Sequence, residues 1–293
     1  MSLHNRIPLP ALTLLFLVVA SIAGCGPSPN PPKIYAPLPE AERLGSPLLT
    51  YRVERTLVDF GASFERAKPV GSNGIYLVQY KGGNIFLGLL GAATGAIGAG
   101  LTNEINRGLI EKKSKKIAEG FESDEHATIA KLVERKFESL DLLSNEGVPI
   151  QPNLLILIGK DDKVRVSLVF SVEAGDDIER FFYEFRYIAT KTILENRNQQ
   201  QFFDKIFAEL PVAIETLGKA LPGIHTNEYG DGRKTAIESD FFAPFEGLPF
   251  EAYILSHQGD RTILRVNAKN AFMTIHSAHG SHLMFDAHYK EVK

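Results

Sequence analysis

The sequence predicts an α+β fold: an antiparallel or mixed sheet with a three-stranded meander, packed against two or three helices, plus a small C-terminal β module. Three observations predict it. The continuous apolar run Leu154-Leu-Ile-Leu-Ile158 is followed, after short Gly/Asp turns, by two segments of strict period-two alternation. Segments with apolar residues at i, i+3 and i+4 stand on both sides of this group. Beyond residue 240 short strand-like segments return, separated by glycine-containing turns.

In chain order, residues 48–81 read as extended, with no settled pattern from Tyr51 to Phe64. Gly74-Ile-Tyr-Leu-Val-Gln-Tyr80 is a strand by its β-branched and aromatic content, set between Gly71-Ser-Asn73 and Gly82-Gly83. A helix follows Ser123, which caps it with Asp124 and Glu125 in the first turn, and Ala130, Val133, Phe137 and Leu140 form its apolar side. In the meander, Val164, Val166, Leu168, Phe170 and Val172 alternate with polar residues, and Phe181, Tyr183, Phe185 and Tyr187 form a second stripe expected to be core. Gly159–Lys163 and Gly175–Asp177 make the turns, where paired aspartates are favoured for backbone reasons. A helix spans about residues 199–220, with Phe203, Ile206, Phe207 and Leu210 on one side. Pro211 is expected to end or kink it, because proline removes a donor and clashes with the preceding turn. Residues 221–238 read as a polar linker, and 251–256, 262–267, 272–275 and 283–286 as the strands of the C-terminal module.

Composition bounds the function. The chain has 293 residues, 44% of them apolar, with one cysteine and no tryptophan. No disulfide can form within it, so stability rests on a core. The formal net charge is −3, and nucleic acid, which wants a basic face, is not an expected partner. No nucleophile elbow, phosphate loop, HExxH or GxGxxG occurs.

The N-terminus is more specific. Arg6 precedes an apolar segment, Ala11 to Ala20, too short to span a bilayer. Ile22-Ala23-Gly24-Cys25 resembles the lipobox of bacterial lipoproteins. That resemblance implies cleavage before Cys25, a diacylated thiol and an acylated amino group, and residue 26 being Gly rather than Asp implies sorting to the outer membrane. Pro27, Pro29, Pro31, Pro32, Pro37, Pro39 and Pro47 then bias the chain toward an extended tether. The expected organisation is a signal peptide at 1–24, a tether at 25–47, an α/β domain at 48–222, a linker at 223–240 and a β module at 241–293.

From about residue 70 to 220, the order strand, two helices, three-strand meander, helix resembles the small α/β domains of envelope lipoproteins of the curli-secretion and TolB N-domain type. It also resembles a diffuse set of uncharacterised proteobacterial lipoproteins with a Gly/Ala-rich helix before such a meander. The resemblance implies an accessory role in the cell envelope.

That glycine segment, Gly88 to Leu101, leaves two readings open. As a helix it puts Phe86, Leu90, Thr94, Ile97 and Leu101 on one side and Gly88, Gly91, Ala92, Gly95, Gly98 and Ala99 on the other. Residues 85–101 would extend only about 26 Å, short of the roughly 30 Å bilayer core. The smooth face suits either close packing inside the domain or a glycine zipper that self-associates or enters the membrane.

Among chemical candidates, His276, His279 and His282 with His288 nearby form a weak metal constellation. Their spacing straddles an expected turn, and turn histidines facing water are the expectation, with no metal site and no cofactor. Lys112, Lys113, Lys115 and Lys116 form a basic run that could touch anionic headgroups, expected to be a solvated helix face. The sequence thus points to a non-enzymatic, periplasm-facing outer-membrane lipoprotein with a binding, scaffold or assembly-accessory role. Its expected partners are membrane lipid through acylated Cys25 and an envelope protein or glycan, with homo-oligomerisation as an option. The alternatives are a membrane-active glycine-zipper protein and an enzyme or metal-binding protein using the C-terminal histidines.

Overall fold

The structure is a computed structural model that describes residues 49–57, 60, 67–71, 74–79, 111–117, 129–159, 161–174, 177–194, 199–242, 247–268 and 278–292. All belong to one compact unit comprising Pro32–Gly82 and Arg107–Lys293. The lipobox, the tether, the glycine face from Gly88 to Ala99, the Ser123 cap, the expected strand at 272–275 and His276 lie outside the described residues.

The fold is α+β, built on one mixed sheet. Its strands are β1 (Tyr51–Val53), β2 (Lys68–Pro69), β3 (Ile75–Gln79), β4 (Val148–Ile158), β5 (Lys163–Ala174), β6 (Asp177–Glu184), β7 (Ala189–Thr190), β8 (Arg233–Ser239), β9 (Phe250–Gln258), β10 (Arg261–Asn267), β11 (Gly280–Phe285) and β12 (Tyr289–Val292). They lie in the order β12-β8-β9-β10-β11-β6-β5-β4-β3-β2, with β1 beside β4 and β7 beside β5. Among the described residues are two α-helices, α1 (Ile129–Ser139) and α2 (Gln199–His225), and a further helical stretch at residues 111–117 ahead of them in the chain.

β4 explains the apolar run. It pairs antiparallel with β5 and parallel with β3, so Leu154, Leu155, Ile156, Leu157 and Ile158 are all buried, on both faces. Its prolines sit where no donor is needed. Pro152 falls between the β1 register, which ends at Ile150, and the β3 register, which begins at Leu154. Pro149 precedes the first β5 pair, Ile150↔Val172. Period two then sorts the side chains. Val164, Val166, Leu168, Phe170, Val172, Phe181, Tyr183 and Phe185 face the helices in one large core with Ile129, Val133, Phe137, Phe202, Ile206, Leu210, Ile214 and Leu217. Each such aliphatic or aromatic side chain contributes about 1.5–3 kcal/mol by leaving water. The other face carries Arg165, Ser167, Val169, Phe182 and Glu184.

Two expectations are corrected here. α2 is one helix through Pro211 and on to His225, so Pro211 does not end it. The proline lies on the exposed side, while Leu210, Ala213 and Ile214 on either side of it are locked in the core. Water can solvate the carbonyl that loses its partner. Nor is the stretch at 223–240 a plain linker: it holds the last turn of α2 and all of β8, whose Ile237 and Ser239 are buried. β8 was missed because only those two of its seven side chains are buried, so the alternation is too thin to read.

The C-terminal strands curl. β12 pairs with β8 at the sheet margin, yet only Asp286–His288, one 3₁₀ turn, separates it from β11. Four residue steps reach at most about 14 Å, so the bent β11–β12 segment brings β8, β9 and β10 round into a partly closed barrel. Ile237, Phe242, Ala252, Ile254, Leu264, Val266 and Met284 fill it.

β1 is wedged against the entrance to β4. A Cβ on Gly147 would stand 2.6 Å from the backbone N and C of Tyr51, whose own N–H and C=O are tied to Leu142 and Ser144. Gly147→Ala is therefore expected to cost about 3 kcal/mol, because backbone cannot yield as side chains do. Gly223→Ala meets only the ends of Tyr229 and Glu228 and sits in a helix, so it should cost far less. Denaturant melts of the two variants check this ordering, and equal stabilities would refute it.

Candidate functional site

The polar face of the central strands converges on Glu184. Ser167 on β5 stands opposite it in register, and the Ser167 hydroxyl donates to Glu184 Oε2. β11 runs parallel to β6 with His282 beside Phe182, which puts His282 Nδ1 2.9 Å from Glu184 Oε1. His282 Nε2 is 2.9 Å from the Ala278 carbonyl. Ser167, Glu184 and His282 are all buried. The imidazole stacks on Phe182 at 4.3 Å and 4°, and meets Phe242 edge-on at 5.3 Å.

Hydrogen-bond partners assign the protons. A carbonyl only accepts, so Nε2 carries a hydrogen, and the Nδ1–Oε1 contact holds one more. Together the histidine and the carboxylate are a neutral, satisfied unit. The order differs from a hydrolytic triad, in which imidazole lies between serine and carboxylate and takes the serine proton. Here the carboxylate lies between them and accepts from the serine hydroxyl. The arrangement ties β5, β6 and β11 together through their side chains.

Around it the two parts of the sheet are stapled. β6 and β11 share only three paired positions, Ser281↔Phe181 to Leu283↔Tyr183. Arg261 on β10 donates to the Glu184 and Leu283 carbonyls, each at 3.1 Å. Its guanidinium lies 3.8 Å from the Tyr183 ring centre and 3.4 Å from that of Phe285, and reaches Glu209 on α2 at 3.5 Å. Arg186 pairs with Asp260. Buried Arg165 holds Asp161 through both terminal nitrogens, at 2.7 and 3.1 Å, and comes within 3.5 Å of Asp240 beyond β8. Burial pushes the Asp161 carboxyl up, but hydrogen bonds from Arg165 and Lys163 outweigh it and hold the group below its usual range.

A second polar group stands at the barrel lip, with Thr262 buried beneath exposed His257 and Asp286. Thr262 donates to Asp286 at 2.5 Å and accepts from the Tyr289 hydroxyl at 3.1 Å. With its own hydrogen spent, it must accept from His257 Nδ1 at 2.8 Å. That leaves Nε2 of exposed His257 as the accepting nitrogen of the neutral ring. Beside it, Arg233 grips Glu291 with two bonds of 2.7 Å. No sequence motif marked His257 or Thr262, because the β9–β10 register alone sets them opposite each other.

The histidine constellation comes apart. His282 is fully buried rather than facing water, which corrects the turn expectation. Gly280, at φ +141° and with no room for a Cβ beside the Arg180 carbonyl, already begins β11, and strand alternation turns His282 inward. His279 accepts from the Ala268 amide. His288 sits in the 3₁₀ turn, and burial draws it below the ordinary histidine range despite Glu184 nearby. Among the described residues no three His, Cys, Asp or Glu side chains are placed to hold a metal ion.

A further buried polar spot lies under the end of α2. The Tyr51 hydroxyl and His225 Nδ1 have no hydrogen-bond partner there, and the two rings are 6.4 Å apart. Burial raises the Tyr51 hydroxyl, assisted by Glu179, and lowers His225.

Two outcomes follow. Glu184→Ala leaves a buried donor facing nothing and should cost about 3–5 kcal/mol, against about 1 kcal/mol for Ser167→Ala. Replacing Glu184 and His282 together by Leu and Phe should cost less than the single loss of Glu184; a double variant worse than the single one would contradict the neutral-pair assignment. Secondly, His225 and His288 are lowered in the folded protein, so below about pH 6.5, the ordinary histidine value, the unfolded chain binds more protons. Stability should therefore fall as pH drops from about 6.5. His225→Leu should flatten that slope in thermal melts between pH 7.5 and 5.5, and an unchanged slope would show that His225 takes up its proton equally in both states.

Comparison of the chain with protein-family models, characterised proteins and solved structures finds no match.

Proposed function

We propose that this is a lipid-anchored envelope protein that faces the periplasm from the outer membrane and acts without catalysis, as a binding, scaffold or assembly-accessory component. The observation that carries this reading is Ile22-Ala23-Gly24-Cys25, with Cys25 the one cysteine of the chain. Acyl chains, at about 0.8 kcal/mol per buried CH₂, anchor a body that needs no spanning segment. Among the described residues no helix is long and apolar enough to cross a membrane. The Ser167–Glu184–His282 group supports a non-catalytic body, since all three side chains are buried and spend their hydrogen bonds on tying β5, β6 and β11 together. In this reading β4–β6 are the meander, and the C-terminal strands are the small β module that offers a polar lip to an envelope protein or glycan. The small-residue face of Gly88, Gly91, Ala92, Gly95, Gly98 and Ala99 favours a second reading, self-association through a glycine zipper.

Cells expressing the wild-type chain should incorporate labelled palmitate, and Cys25→Ser should remain uncleaved and unlabelled. Gly26→Asp should move the protein from outer-membrane to inner-membrane fractions. Persistent labelling of Cys25→Ser would end the anchor reading, and unchanged fractionation of Gly26→Asp would end the sorting reading.

A further inference from the structure

We propose that the lysine face at residues 112–116 is the surface with which the protein lies on an anionic phospholipid bilayer. The helical stretch at 111–117 is divided sharply. Ser114 and Ile117 are buried, Ile117 in the large core, and Gln199 at the start of α2 donates to the Ile117 carbonyl at 3.0 Å. Lys112, Lys115 and Lys116 are exposed and Lys113 half-exposed, so every residue from 112 to 116 that faces water is a lysine. Glu111 pairs with Lys115 at 3.1 Å, but both side chains are more than half exposed, and such pairs hold weakly. A basic face on a chain of net charge −3 is complementary to a negative surface.

The choice of a bilayer rests on the lipid-anchor reading, which puts such a surface within reach. The described body begins near Tyr51, which packs against His225 at the C-terminal end of α2, whereas the lysines sit at its N-terminal end. α2 has 27 residues, about 40 Å. Residues 25–48, at about 3.1 Å per residue when extended, reach roughly 75 Å. The anchor therefore permits the far end of α2 to touch the membrane, and the lysines decide which side of the body does so. Each lysine near an anionic leaflet strengthens the contact about fivefold.

The chain has no tryptophan, so Glu111→Trp gives a single reporter. The chain from Cys25, coupled through that cysteine to a maleimide lipid, stays on vesicles whether or not cells acylate it. Failure of the anchor reading, seen in palmitate labelling, is thereby kept apart from failure of this proposal. With brominated phospholipids as quencher, the tryptophan should be quenched on phosphatidylglycerol-containing vesicles. It should be spared on pure phosphatidylcholine, and released by salt. Lys112→Glu with Lys116→Glu should remove the quenching, while Lys219→Glu, on the exposed side of α2 near its far end, should not. Equal quenching on neutral vesicles, no quenching at all, or quenching that survives the double reversal would overturn the proposal. Quenching absent on vesicles, with salt-sensitive binding to an acidic protein instead, would assign the face to protein contact and overturn it as well.

Discussion

The sheet changes hands at Glu184. Its side chain takes a hydrogen bond from Ser167 on β5 and holds His282 on β11, and its carbonyl accepts from Arg261 on β10. β6 and β11 share only three paired residues, against nine between β4 and β5 and eight between β5 and β6. Removing water from this junction strengthens each polar contact, and leaving one unmade costs more than it would at the surface. The strands before and after the junction keep one register because these groups fit together in a single arrangement.

The same junction shapes the C-terminal strands. With β11 fixed against β6, the short turn at Asp286–His288 has to bring the chain back to β8, and the sheet curls to let it. Curling carries the Tyr289 hydroxyl to Thr262, three strands away in the sheet order, and gathers His257, Asp286 and Glu291 at one exposed lip. The opposite face of the junction is covered by α2, where Arg261 lies between the Tyr183 and Phe285 rings and touches Glu209. Among the described residues the lysine face at 112–116 and the polar lip at the end of β9 and β10 are the two polar surfaces this arrangement holds in place.

Much of the fold was legible in the sequence. Ala130, Val133 and Phe137 are the buried side of α1, and Phe181, Tyr183 and Phe185 are core, because side-chain periodicity reflects burial directly. What escaped was non-local. Pro211 looks like a stop because the local cost of proline is fixed, whereas the packing that outweighs it comes from residues far away in the chain. β8 looks like a linker because one of its faces is solvated and it is short.

The sequence by itself determined that its one cysteine leaves the core without disulfides within the chain, and that strands and amphipathic helices follow one another. These are properties of neighbours in the chain, where spacing alone decides. The tertiary structure decided the partners of the polar residues. Ser167, Glu184 and His282 stand 17 and 98 residues apart, and nothing in their spacing distinguishes a buried neutral pair from three solvated side chains. Only the parallel register of β11 on β6, which depends on the whole intervening chain returning to one edge, brings the imidazole to the carboxylate and makes it structural.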